Sequence, residues 1–109
     1  MAKNEKIRKD LQRLTEIDKV IHEPARLLIL AHLSVVEEAD FLFLEHQTEL
    51  TRGNLSTHLS KLEAAGYVEI KKEFVGKIPR TLIRLAKAGK KAFKNYLEGM
   101  KQVFENLSG

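Results

Sequence analysis

The sequence contains no cysteine, which excludes disulfides, thiolate metal sites and thiol redox sensing together. That absence agrees with an intracellular setting. No apolar run approaches the roughly 20 residues needed to cross a bilayer. Met1 to Asp10 mixes charged and polar residues, without the apolar stretch of a signal peptide. The expectation is a cytoplasmic protein with no membrane partner. Also missing are a Gly-rich phosphate loop, a nucleophile elbow and a metalloprotease helix. Ser56 and His58 stand two apart within one helical pattern, so they point in different directions and make no catalytic pair. The four histidines (His22, His32, His46 and His58) lack ligand-like spacing. Neither an enzyme nor a bound metal or other cofactor is expected.

What is present suits one small domain. The 109 residues include 43% hydrophobic side chains, enough for a single modest core. The net charge of +4 is unevenly placed. Residues 51–91 carry ten Lys or Arg against three Glu, a balance of +7, whereas the rest carry nine basic and twelve acidic side chains, a balance of −3. A basic segment on a mildly acidic chain fits a nucleic-acid face, and equally a solvated basic surface.

The periodicity then divides the chain. From Glu5 to about Ile21, the residues Ile7, Leu11, Leu14, Ile17 and Ile21 form one helical stripe. Pro24 suits the first turn of a second helix, Ala25 to about Val35, whose apolar residues lie nearly all round it. A short extended stretch at Ala39–Phe41 precedes a short helix from about Leu42 to Gln47. Thr51 is a good N-cap for the next helix and Gly66 a good terminator, with Leu55, Leu59 and Leu62 repeating between them. From Tyr67 to Leu85 the period becomes two, on either side of a turn near Gly76–Pro79, which predicts a β-hairpin. A last helix carries Phe93, Leu97, Met100, Phe104 and Leu107 at spacings of four, three, four and three.

This order of elements resembles the winged-helix transcription regulators of the MarR and ArsR type, especially their minimal single-domain members. His22-Glu23-Pro24-Ala25-Arg26-Leu27-Leu28-Ile29-Leu30 is similar to the start of that family's second helix. Leu50-Thr51-Arg52-Gly53-Asn54-Leu55-Ser56-Thr57-His58-Leu59-Ser60-Lys61-Leu62-Glu63-Ala64-Ala65-Gly66-Tyr67-Val68 resembles its recognition helix and exit glycine. Pro79-Arg80-Thr81 and Leu85-Ala86-Lys87-Ala88-Gly89-Lys90 look like the wing's return strand and the start of the final helix. The resemblance implies a mainly α winged helix-turn-helix with a small β-hairpin wing. It divides the single domain into an N-terminal dimerisation helix (1–21), the winged core (22–85) and a C-terminal dimerisation helix (86–109). It also implies a homodimer on double-stranded DNA, acting as a repressor more often than as an activator. The chain departs from the family's cysteine-based metal and peroxide sensors, and no effector ligand is identifiable.

The residues supply their own reasons. Opposite the leucine stripe, the 51–65 helix carries Gly53, Asn54, Ser56, Thr57, Ser60 and Lys61, with no carboxylate near its centre. Such a face permits close approach to a major groove and presents no anion to phosphates. Thr51, Arg52 and Asn54 lie at the end that enters a groove first, although Asn54 equally suits a local cap with Thr51. Ser56 and Thr57 can meet bases or phosphate, Lys61 phosphate, and His58 either phosphate or the boundary of the core. In the wing, Lys71, Lys72, Lys77 and Arg80 are candidate minor-groove or backbone contacts, against the plainer reading that charge keeps a hairpin soluble. The terminal stripes (Ile7, Leu11 and Leu14 with Phe93, Leu97, Met100, Phe104 and Leu107) predict the dimer interface. A winged-helix protein-interaction module and a non-specific architectural nucleic-acid-binding protein remain the competing functions.

Overall fold

The computed structural model describes residues 2–108, so the first and last residues of the expected domain lie outside the described residues. Helix α1 (Ala2–Arg13) passes through a 3-10 turn (Leu14–Glu16) into an irregular segment, followed by α2 (Pro24–Leu33), β1 (Ala39–Asp40), α3 (Phe41–Thr48) and α4 (Arg52–Ala64). The hairpin strands β2 (Val68–Val75) and β3 (Ile78–Leu85) lead to α5 (Lys87–Ser108). The three strands form an antiparallel sheet in the order β1-β3-β2. This is the winged helix-turn-helix that the element order implied.

Local chemistry accounts for most boundaries. Pro24 occupies the first turn of α2, while the Glu23 carboxylate accepts the Arg26 N–H at 2.8 Å. Asp40 caps α3 by accepting from the Phe43 N–H, and Thr51 caps α4 by accepting from the Asn54 N–H, each at 3.1 Å. At the end of α4, Gly66 (φ +79°) donates to the Glu63 carbonyl and Tyr67 to that of Leu62. That pair of bonds is a complete Schellman ending. Between α3 and α4, Glu49 sits at φ 58°, a left-handed position costly for a side chain with a Cβ. The turn is held by buried Thr48, whose hydroxyl donates to the Leu44 carbonyl and accepts from the Leu50 N–H.

The core gathers Ile21, Ile29, Leu30, Leu33, Leu44, Leu55, Leu59 and Leu62 with Val68 and Ile83 of the sheet. The leucine stripe of α4 therefore faces inward as its period required. Two expectations need correction. The first helix stops at Arg13 rather than reaching Ile21, because the Asp18 carboxylate takes the N–H groups of Val20 and Ile21 into a local turn. Ile21 is still fully buried, but from a loop. Phe93 packs into the protomer's core, as does Val103 on the same helix, so neither is available to a partner.

Helix α1 lies along α5, joined by the carboxylate of buried Asp10 accepting from Asn106 and by Arg13 donating to Gln102. Leu11, Leu14, Leu97, Phe104 and Leu107 stay between 37% and 61% exposed on this pair, and Ile7 and Met100 are half-buried. The radius of gyration is 16.9 Å, with extents of 67 × 25 × 21 Å. A compact domain of this length has about 13 Å. The excess comes from a body that leaves its terminal helices and wing projecting. No helix among the described residues is long and apolar enough to cross a membrane.

The Tyr67 hydroxyl donates to Asp18, fastening the start of the hairpin to the segment before α2. This hydrogen bond, with burial and the aspartate's charge, pushes the Tyr67 phenol up to about 12. The folded value lies above the ordinary one, so the stabilisation is full below about pH 10 and fades as pH rises towards 12. In an absorbance titration near 295 nm, Tyr67 should ionise at about 12. In Asp18→Asn that transition should move down towards the ordinary phenol range of about 10.

Candidate nucleic-acid interface

Helix α4 presents its outward face without obstruction. Gly53, Thr57 and Ser60 run along its centre, with Asn54 and Lys61 on one flank and Arg52 and Ser56 on the other, all exposed. The first carboxylate on that surface is Glu63, in the last turn. A Cβ on Gly53 would meet nothing within 4 Å. The fold does not need a glycine there, and its small size matters only to what approaches from outside.

Individual residues take different roles. Thr51 is exposed, and its hydroxyl serves the helix cap. Asn54 contributes its main-chain N–H to that cap and keeps its own side chain exposed. Arg52 bends back to Glu45 on α3, Nε to Oε2 3.1 Å, in an exposed pair that a phosphate could displace at little cost. His58 sits at the edge of the face with its side chain 19% exposed, beside Glu23 at 3.6 Å and Arg26 at 3.1 Å. His58 Nδ1 thus lies between an acceptor, the Glu23 carboxylate, and a donor, the Arg26 guanidinium. Buried Arg26 also donates to the carbonyls of Val20 and Lys19. Glu23 completes the group. Burial pushes its pKa up, but the Arg26 and Ala25 N–H groups and the nearby His58 and Arg26 outweigh that and hold it below the ordinary carboxylate value. This set locks α2 against α4 and so aims the outward face. In the sequence Arg26 and Glu23 stand only within a segment similar to the family's second helix, and their 32-residue and 35-residue reach to His58 leaves no local signal.

The wing is a regular hairpin whose two-residue turn is Gly76–Lys77, with Gly76 at φ +64° in the first central position. Lys77 therefore sits at the tip itself. Arg80 is two pairs back, opposite Glu73 and 3.5 Å from Asp40, rather than beside the turn as the sequence suggested. Lys71 pairs with Glu73 at 3.6 Å and Arg84 with Glu69 at 2.7 Å, while Lys72 is exposed. Between α4 and the wing runs a hollow of about 1000 Å3, flanked by Arg52, Ser56, Ser60, Lys72, Arg80 and Thr81. Three cations and three hydroxyls line it together with the carboxylates of Asp40 and Glu63, of which Asp40 is engaged by Arg80. Nothing in the sequence marks Ser60 or Thr81 as contacts, nor the apolar residues Phe74, Val75 and Ile78 that stand beside the turn. Among the described residues, no three His, Asp or Glu side chains gather in a metal-holding group.

A polar helix after a tight turn, beside a basic hairpin, is the arrangement by which this fold meets DNA, and residues 25–104 match the family of winged helix DNA-binding domains. The chain belongs to that family. A relative from Methanocaldococcus jannaschii, an uncharacterized protein, is 38% identical over 89 residues, covering 82% of this chain and 97% of its own. The solved structure of a transcriptional regulator homologue from Pyrococcus horikoshii superposes with a TM-score of 0.82 at 28% identity, covering 91% of this chain and 97% of that one. A MarR-family transcriptional regulator from Silicibacter pomeroyi shares the fold at a TM-score of 0.61 and 20% identity, covering 97% and 66%. The winged helix protein is thus a DNA-binding regulator by family, as its recognition-helix and wing segments implied.

Proposed function

We propose that this protein is a homodimeric, sequence-specific repressor of transcription that acts in the cytoplasm by binding, without catalysing a reaction. In this reading α4 enters the major groove, the wing follows the minor groove or its backbone, and one DNA strand runs through the hollow between them. One observation carries it. The whole outward face of α4, up to its last turn, is exposed, small or hydrogen-bonding, and free of carboxylates, where an ordinary solvent face would mix Glu with Lys. Thr51, Arg52, Asn54, Ser56, Thr57 and Lys61 are the proposed contacts there, with His58 at the edge. Lys71, Lys72, Lys77 and Arg80 are those of the wing. Dimerisation is supported by Leu11, Leu14, Leu97, Phe104 and Leu107, whose exposed apolar surface lies on the projecting terminal helices.

Selection of bound fragments from a random duplex library tests the reading. Enrichment of an inverted repeat, with half-site centres about one or two helical turns apart, is the expected outcome. Salt-sensitive binding without enrichment would instead mark an architectural protein, and no binding would leave a protein-interaction module. In sedimentation, Leu97→Lys with Phe104→Lys should convert the dimer to a monomer.

A further inference from the structure

The end of the wing carries more apolar surface than a solvated hairpin needs. From Lys72 to Arg80 every residue except Glu73 is exposed. Within that stretch Phe74 is 74% exposed, Ile78 70% and Val75 55%. Register places Phe74 opposite Pro79 and Val75 opposite Ile78, so successive pairs put apolar groups on both faces of the tip. Single exposed apolar residues are ordinary, but a cluster on a protruding hairpin invites aggregation unless something covers it. Nothing among the described residues does.

The surroundings argue for the occupant. Lys77 is at the turn, Lys72 and Arg80 stand behind the apolar group, and the surface continues into the hollow beside α4. A protein partner fitting an apolar knob would meet this cationic collar, which suits a polyanion instead. We propose that the wing tip is an apolar wedge, led by Phe74 and Ile78, that enters the minor groove of bound DNA, partly unstacks a base step and bends the duplex, while Lys77 holds the adjacent phosphate. Apolar side chains between base steps are a known way to bend DNA at the minor groove. The wedge would favour pyrimidine–purine steps such as TA or CA, which unstack most easily, at the positions under the wing. This proposal rests on the DNA-binding reading and adds a deformation and a sequence preference to it.

The test uses a duplex recovered by selection, labelled at its ends for energy transfer and carrying 2-aminopurine at the wing position. The full-length protein should shorten the end-to-end distance and raise the 2-aminopurine emission. Phe74→Ser with Ile78→Ser should abolish both and weaken binding by about tenfold or more. Its salt slope should not change, because no phosphate contact is lost. Lys77→Ala should do the reverse, keeping the bend and lowering the slope by about one. Should the double variant fold poorly, Phe74→Ser alone should still reduce the bend. A bound duplex that stays straight, or a bend that survives in the double variant, overturns the wedge and leaves the regulator intact. So does a double variant whose DNA properties are unchanged but whose sedimentation shifts, since the tip would then serve a protein contact. Absence of any duplex binding by the unaltered protein would overturn both.

Discussion

Thr57→Glu is expected to weaken DNA binding by at least about 100-fold, because a like charge set against phosphates costs several kcal/mol. Thr57 lies at the centre of the outward face of α4, exposed, and opposite Leu55, Leu59 and Leu62 in the core. The fold should not register the change, since a solvent-facing substitution usually stays within about 0.5 kcal/mol. Fluorescence anisotropy on a selected duplex and urea denaturation, measured side by side, separate the two effects. A variant that bound DNA as well as the parent would place the contact surface elsewhere. The separation matters because a loss of binding through unfolding would say nothing about α4.

Gly89→Ala should produce the opposite pattern, a loss of stability of about 3 kcal/mol or more. Gly89 is buried in the first turns of α5, and a Cβ there would stand 2.0 Å from the Tyr67 carbonyl oxygen. That oxygen is not free to move, because it accepts the Ala86 N–H at 3.0 Å. Tyr67 is further held by its bond to Asp18 and by its own N–H on the Leu62 carbonyl at the end of α4. Relief of the clash therefore requires α5 to lift from the junction of α4 and the wing. In an ordinary exposed helix the same substitution would stabilise by up to about 1 kcal/mol. Urea denaturation followed by circular dichroism decides the sign. A stabilised variant would mean that α5 does not pack on Tyr67 as described.

The two glycines explain how far a sequence can be read. Gly53 and Gly89 both occur in helices, one with nothing within 4 Å of a notional Cβ and one pressed on a carbonyl. Their sequence neighbourhoods do not reveal which is which, because the difference lies in what packs against them from 22 residues away. Thr51 and Gly66 were legible as helix ends since a cap acts over only a few residues. Asp18 was not. Ile17 and Ile21 continue an apolar period that masks an equally local competitor, the Asp18 carboxylate taking the N–H groups two and three residues on, and the Tyr67 hydroxyl that holds this carboxylate comes from 49 residues away. The spacing of Phe93, Leu97, Met100, Phe104 and Leu107 marked an apolar stripe correctly but could not divide it. The protomer takes Phe93 for its core, with Val103 from beside the stripe, and leaves Leu97, Phe104 and Leu107 outside.

By itself the sequence determined the order and kind of elements, the inward face of α4, the hairpin and the segregation of basic charge into residues 51–91. These follow from periods of 3.6 and 2 and from capping groups, all of which act within a few residues along the chain. The tertiary structure alone decided which cations are engaged. Arg80 meets Asp40, Arg52 meets Glu45 and Arg26 meets His58, whereas Lys77 is left at the wing tip beside Phe74 and Ile78. Ion pairing and exposure depend on which distant surfaces come within a few ångströms, and that is set by packing rather than by local sequence.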